Sequence, residues 1–96
     1  MGAEEKAAFV RAKLVGLRLF GWPVCPGDAL EIVPEPENQH DANALQVLVW
    51  TGARWELAGY VDRNSAAQLI GERIVSARAV TAGDGVKVPL EIGIAN

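Results

Sequence analysis

Several short segments of this 96-residue chain have apolar and polar residues in the pattern typical of β-strands. Glycine and proline clusters separate these segments. The third segment is apolar at nearly every position except Gln46, as expected for a strand covered on both faces. We predict six strands: Lys13–Phe20, Leu30–Val33, Ala44–Trp50, Trp55–Val61, Ile74–Thr81 and Val86–Ile94.

The period changes to that of a helix between the fourth and fifth strands. In the segment 62–70, Asp62 or Asn64 supplies an N-cap, an apolar stripe follows, and Gly71 ends the helix. Near the N-terminus, Ala3–Lys13 also has apolar residues at helical spacing and no interruption. We expect residues 1–12 to form either a short helix or a frayed arm.

Five or six strands with one helix between the fourth and fifth, in fewer than a hundred residues, suggest a small barrel. Closing the sheet on itself removes the exposed edges. We therefore predict a mainly β fold, a small OB-like six-stranded barrel over residues 13–96 with one or two short helices. In the first strand, Val15, Leu17 and Leu19 share the predicted core face. The predicted core comprises Val15, Leu17, Leu45, Val47, Val49, Leu57, Leu69, Val80 and Ile92.

Three connections have distinct turn signals. Gly21–Asp28 reads as a loop, Gly83-Asp84-Gly85 as a hairpin, and Pro89 as the mark of an edge strand or a bulge. Between the second and third strands, the polar centre of Val33–Val49 holds two prolines, so it cannot lie in a central strand. Its Asn and Asp side chains bond local backbone groups, which predicts an ordered loop suited to binding.

Composition limits the classes of function. The formal net charge of −3 argues against a domain that coats duplex nucleic acid through diffuse charge. No apolar run reaches the ~20 residues of a membrane span, so no membrane partner is expected. A single cysteine and a single histidine argue against a metal site, and no cofactor motif is present. The N-terminus lacks a signal peptide, so we expect a cytoplasmic protein.

The segment Val33–Leu45, VPEPENQHDANAL, resembles the REPxNPYDxNAI motif of HIRAN domains. Shorter matches occur at Val15–Arg18, Ala58–Val61 and Val88–Leu90, so the resemblance covers about residues 14–94. HIRAN domains occur in fork-remodelling SWI/SNF-type ATPases and as stand-alone bacterial proteins, and this chain resembles the stand-alone kind. The resemblance implies a barrel that binds single-stranded DNA, captures its 3′ end in a DNA-repair context, and performs no catalysis.

The resemblance also implies which residues contact DNA. The family's first-strand arginine falls on Arg18, and its adjoining aromatic falls on Leu19, with the aromatic Phe20 next to it. These residues would contact the terminal nucleotides. The end-holding pair falls on His40 and Asp41. The phosphate contacts fall on Tyr60 and Arg63, giving the set Arg18, Leu19, Phe20, His40, Asp41, Tyr60 and Arg63. A carboxylate such as Asp41 accepts a bond from a 3′ hydroxyl and repels a phosphate, so it distinguishes an end from a continuing strand.

The residues leave other interpretations open. As an alternative to contacting DNA, Asp41 and Asn43 would cap the loop through their side chains. Tyr60 would likewise be a core residue with its hydroxyl at the barrel rim. Glu35 and Glu37, on either side of Pro36, suggest an exposed extended segment rather than a paired site. The alternative function is a protein-interaction or assembly module on the same barrel that no longer binds DNA. The acidic balance favours it, as do the family's aromatic positions occupied here by Leu19 and by His40, whose ring offers less stacking area. The oligomeric state is left open.

Overall fold

A computed structural model describes residues 7–16, 23–81 and 87–95 of the chain. Six antiparallel strands form one sheet, and a short helix follows the fourth strand. Their bounds are β1 Ala7–Val15, β2 Leu30–Pro34, β3 Leu45–Trp50, β4 Trp55–Val61, α1 Arg63–Gln68, β5 Arg73–Ala79 and β6 Val88–Ala95.

The sheet closes almost completely into a barrel, as the sequence predicted. The strand order is β2-β3-β4-β1-β6-β5, and the two end strands β2 and β5 lie next to each other. The prediction that the proline-containing segment after Ile32 avoids a central position is confirmed, since β2 is an end strand. Strands β2 to β6 begin and end within about two residues of their predicted bounds, the usual uncertainty of such assignments.

The core lies inside the barrel. Its largest fully buried side chains come from three strands, β1, β3 and β6: Leu14, Val47, Val49, Leu90 and Ile92. The predicted burial of Leu45, Val47, Val49, Leu69 and Ile92 is confirmed, and Val15 and Leu57 are half-buried. Leu17 lies outside the described residues. Val80 was predicted wrongly, since it is 44% exposed just beyond the end of β5, where its backbone amide donates to the carbonyl of Pro89.

The core face of β1 is the opposite of the predicted one. Leu14 is fully buried, whereas Val15 is half-buried at the barrel rim. The register places Leu14 across from Val61 on one side and Val88 on the other, and both are buried. Because side chains alternate between faces, the pairing of β1 with its two neighbours decides which set points inward.

The predicted helix over Ala3–Lys13 is wrong from Ala7 onward. This segment is the first part of β1, paired with β6 from Ala7↔Ala95 to Leu14↔Val88. An unbroken ladder with β6 outweighs the weak helical preference of an alanine-rich segment. The barrel therefore includes residues assigned to an N-terminal arm, and the second half of the predicted strand Lys13–Phe20 lies outside the described residues.

The helix predicted between the fourth and fifth strands is confirmed as α1, with Asp62 as its N-cap and Gly71, at φ 81°, beyond its end.

Pro89 does not mark an edge strand, because β6 lies between β1 and β5. It is the second residue of β6, where its carbonyl accepts from Val80 at the start of the pairing. The Gly83–Gly85 hairpin signal lies outside the described residues. No helix in the described part of the chain is long and apolar enough to cross a membrane.

Candidate nucleic-acid interface

One concave depression of about 280 Å³ collects residues that are far apart in sequence. We call it the loop pocket, and its polar wall comes from the β2–β3 loop, β4 and the start of α1. The side chains lining it include Val15, Asn38, His40, Asp41, Tyr60 and Arg63. Four of the seven residues predicted to contact DNA therefore share one surface. The other three, Arg18, Leu19 and Phe20, lie outside the described residues, which resume the chain's path only at Pro23.

The loop between β2 and β3 is ordered by its own side chains, as predicted. Asn38 Oδ1 accepts from the backbone amides of His40, at 2.8 Å, and Asp41, at 3.0 Å. Asp41 Oδ1 in turn accepts from the amide of Asn43, at 2.9 Å. Asn43 thus contributes its backbone to the turn rather than the side-chain cap that was predicted. These bonds hold His40 and Asp41 at the pocket without help from a regular strand.

Arg63 joins the helix to this loop. It is the first residue of α1, yet its side chain turns away from the helix toward the pocket. Its Nε donates to Asp41 Oδ2 at 3.4 Å, and its terminal nitrogen donates to the carbonyl of His40 at 3.0 Å. A cation at a helix N-terminus is unfavourable, and pairing with Asp41 offsets that effect. Asp41 therefore both caps the loop through one oxygen and presents the other to Arg63.

Glu35 is the polar centre beneath the pocket, and the sequence did not indicate this role. Its Oε1 accepts from Asn38 Nδ2 at 2.7 Å and from the Tyr60 hydroxyl at 2.9 Å, while Oε2 accepts from Gln46 Nε2. The bond from Asn38, followed by those from Tyr60 and Gln46, lowers the pKa of Glu35. The one signal for this cluster was Gln46, a lone polar residue in an otherwise apolar strand.

Tyr60 is half-buried with its hydroxyl engaged in this cluster. Burial raises the pKa of Tyr60, and the hydrogen bond to Glu35 and the charge of that carboxylate raise it further. The phenol therefore stays protonated and remains a donor to Glu35. This agrees with the alternative view of Tyr60 as a packed residue with its hydroxyl at the rim, although its ring also lines the pocket.

The described residues that line the loop pocket supply acceptors, one cation and two aromatic rings, and none of them is a nucleophile paired with a base. Among the described residues, no group of three histidine, cysteine, aspartate or glutamate side chains is placed to hold a metal ion. The arrangement suits recognition of a small polar group carrying a donor and a nearby negative charge.

The model of the HIRAN domain matches residues 8–87, more than three quarters of the chain. The chain belongs to the HIRAN family. HIRAN domains are a family of DNA-binding modules. The HIRAN domain of human HLTF, known from a crystal structure, superposes with a TM-score of 0.75 at 21% sequence identity, covering 93% of this chain and 76% of that one. At this identity the likeness establishes the shared fold. No curated protein matches the sequence.

Every described residue of the loop pocket lies within the stretch that matches the HIRAN domain. The segment that most resembles the HIRAN motif is the loop carrying His40 and Asp41, together with Glu35 beneath it. In this HIRAN domain the motif thus has two parts: an outer part that lines the pocket, and an inner carboxylate that ties the loop to β3 and β4.

Proposed function

We propose that this HIRAN domain is a non-catalytic module that binds single-stranded DNA and captures its 3′ end in the loop pocket. The observation that carries the proposal is the pair formed by Asp41 and Arg63, an acceptor beside a cation in an open depression. In this proposal Arg18, Leu19 and Phe20 complete the site with contacts to the terminal nucleotides.

The chemistry of a 3′ end matches this pair. The terminal hydroxyl is a donor, and the Asp41 carboxylate accepts. Asp41 Oδ2 is only loosely engaged by Arg63, at 3.4 Å, so it retains the capacity to accept a further bond. If the strand continued, a phosphate would lie close to the carboxylate and would be repelled. One residue thus both favours a free end and disfavours an internal position.

Arg63 and the rings supply affinity that does not depend on sequence. The Arg63 side chain is 72% exposed, so its guanidinium is open to a phosphate of the bound strand. His40 is exposed at the pocket and Tyr60 lines it, and aromatic faces stack on bases at ~1–3 kcal/mol each. The described residues of the pocket provide few contacts of either kind, so we expect moderate affinity and a shallow salt dependence, which scales with the number of phosphate contacts.

The test compares single strands that differ only at the 3′ end. Calorimetric titration with a free 3′ hydroxyl should give clearly tighter binding than with a 3′ phosphate, and a 5′ phosphate should have little effect. Equal binding of strands with free and 3′-phosphorylated ends would overturn end capture while leaving DNA binding in place.

A second candidate is a protein-interaction module on the same barrel. Trp50 and Trp55 favour it, since they form an edge-to-face pair with centroids 5.5 Å apart on the outer side of the β3–β4 hairpin, each about two-fifths exposed. Exposed tryptophans are enriched where proteins bind each other. The net charge of −3 points the same way. Failure of any single strand to bind would favour this second candidate.

A further inference from the structure

The outer face of β1 combines an aromatic ring with two cations. Ala12 and Leu14 point into the core, so the alternate residues Phe9, Arg11 and Lys13 point outward. All three are exposed, Phe9 by 61%. Within the described part of the chain, neither Arg11 nor Lys13 makes an ion pair, whereas Arg54, Arg63 and Arg78 do. We call Phe9, Arg11 and Lys13 the β1 outer face.

A groove of about 430 Å³ runs beside the two cations. Besides Arg11 and Lys13, it is lined by Asp62, Ser65, Pro89 and Glu91. Both carboxylates already have partners. Asp62 accepts from the amide of Lys13 and from Ser65, and Glu91 pairs with Arg78 at 2.7 Å. Arg78 neutralises Glu91, whereas Asp62 keeps its charge because its donors are neutral. Among the described residues lining the groove, the two cations Arg11 and Lys13 therefore outnumber the one unpaired carboxylate, in a chain whose net charge is negative.

The groove and the loop pocket are lined by residues that are close neighbours along β1 and at the start of α1. Val15 lines the pocket, and Lys13 lies two residues earlier on β1. On the other side, Arg63 lines the pocket and its neighbour Asp62 lines the groove. A bound DNA strand that left the pocket between β1 and the start of α1 would reach Lys13 first and Arg11 next.

Phe9 lies at the far end of this path. It is paired with Gly93 of β6, and two ring carbons of Phe9 lie 3.4 and 3.6 Å from where a Cβ on Gly93 would stand. The ring therefore rests against a residue without a side chain and leaves most of its surface to solvent. A ring supported from below and open above is suited to stacking on a base.

We propose that the β1 outer face binds the nucleotides on the 5′ side of the captured end, with Lys13 and Arg11 contacting phosphates and Phe9 stacking on a base. This inference rests on the proposed function, and it extends the site from one terminal nucleotide to a segment of strand. Single-stranded nucleic acid matches this surface, because its phosphates bind cations spaced along the path and its bases stack on an exposed aromatic ring.

The length of the face sets the length of the bound segment. Val15 and Phe9 are six positions apart on β1, a distance of about 20 Å. Successive stacked nucleotides in one strand are separated by about 3.4 Å, and more when the strand is extended. The path therefore accommodates roughly four to six nucleotides, within the range of about 4–16 known for barrels of this type.

The experiment is a calorimetric titration of the whole chain with a thymidine dinucleotide and a thymidine octanucleotide, both with a free 3′ hydroxyl. The octanucleotide should bind more tightly. Arg11→Gln and Lys13→Gln should each weaken octanucleotide binding and reduce its salt slope by about 0.7, the value for one phosphate contact on a single strand. Neither should change the affinity for the dinucleotide, which occupies the loop pocket alone.

Arg54→Gln is the matched control. It removes one exposed cation at the β3–β4 turn, the end of β4 opposite Tyr60, and should leave octanucleotide binding unchanged. Phe9→Leu should weaken octanucleotide binding about fivefold or more, and Phe9→Tyr should restore it. Because all four side chains are exposed, the variants should fold normally.

The outcomes separate this inference from the proposed function. Equal affinity for the dinucleotide and the octanucleotide, or variants of Arg11 and Lys13 that behave like Arg54→Gln, would overturn the role of the β1 outer face and leave end capture standing. Binding of neither oligonucleotide would overturn both.

Discussion

The hydroxyl of Tyr60 donates to Glu35 Oε1 at 2.9 Å, so a residue of β4 supports the start of the loop that carries His40 and Asp41. The same carboxylate holds Asn38, whose side chain fixes the amides of His40 and Asp41. The geometry of the loop pocket therefore depends on a carboxylate that lies beneath it and does not itself belong to the predicted contact set.

Replacing Glu35 by glutamine should lower the pKa of Tyr60. The amide oxygen can still accept from the phenol, but the negative charge that disfavours tyrosinate is lost. Since burial is the first cause of the shift, the pKa should fall without returning fully to the ordinary value for tyrosine. The chain has one tyrosine, so its ultraviolet titration is unambiguous. Glu37→Gln, at a nearby exposed position, is the control and should leave the titration of Tyr60 unchanged.

Variants of Asp41 and Arg63 should affect DNA binding in different ways. Asp41→Asn should narrow the difference between free and 3′-phosphorylated strands, because it removes the charge that repels the phosphate. Arg63→Gln should weaken the binding of both the free and the 3′-phosphorylated DNA strands equally and reduce the salt dependence of that binding. A contact to phosphate does not distinguish one end from the other. A loss of end discrimination in Arg63→Gln equal to that in Asp41→Asn would contradict this division of roles.

The same two variants should leave the fold intact. The pair is 3.4 Å apart with the arginine side chain largely exposed, so its coupling should be worth no more than about 0–1 kcal/mol of stability. A double-mutant cycle on urea unfolding measures this coupling directly. A coupling of several kcal/mol would mean that the pair is a structural element and that binding losses reflect a disturbed loop.

Truncation along β1 tests which face of the strand points inward. Leu14→Ala should reduce the free energy of unfolding by ~2–5 kcal/mol, because it leaves a cavity at a fully buried position. Val15→Ala removes a half-buried side chain at the rim and should cost clearly less. Urea denaturation of both variants provides the comparison. A larger loss for Val15→Ala would reverse the assignment of the two faces.

Asp62 should matter for stability and for its dependence on pH. Its two oxygens accept from the amide of Lys13, at 2.8 Å, and from the amide and hydroxyl of Ser65, at 3.2 and 3.0 Å. In Asp62→Asn the side-chain NH2 faces one of these donors, which loses its acceptor, and we expect a loss of about 1–2 kcal/mol. Asn64→Ala, one residue inside the helix and exposed, is the control and should cost little.

The pH dependence of that loss has a defined sign. Burial raises the pKa of Asp62, but the bonds from Lys13 and Ser65 outweigh it, so the pKa of the folded protein is lowered. The stabilisation by the carboxylate is therefore complete above its unfolded pKa of about 3.9 and is lost as pH falls through the folded value. Unfolding of the protein and of Asp62→Asn should converge in acid. A gap that widens in acid would contradict the lowered pKa.

Local pattern alone determined most of the elements. Strands β2, β3 and β4, the helix after Asp62 and the turn at Gly52 follow from alternation, capping and glycine, which act over a few neighbouring residues. The order within the β2–β3 loop was predictable for the same reason, because the bonds of Asn38 and Asp41 reach only two or three residues along the chain. The HIRAN motif lies in this loop, so the family could also be recognised from the sequence.

Tertiary pairing decided the rest. Ala7–Lys13 has no strong preference of its own, and its ladder with β6, more than seventy residues away, makes it a strand and turns Leu14 rather than Val15 inward. Glu35 reads as an exposed carboxylate between two strands, but its partners Gln46 and Tyr60 are 11 and 25 residues away. Long-range partners of this kind depend on strand register, and register is set only when the whole barrel forms.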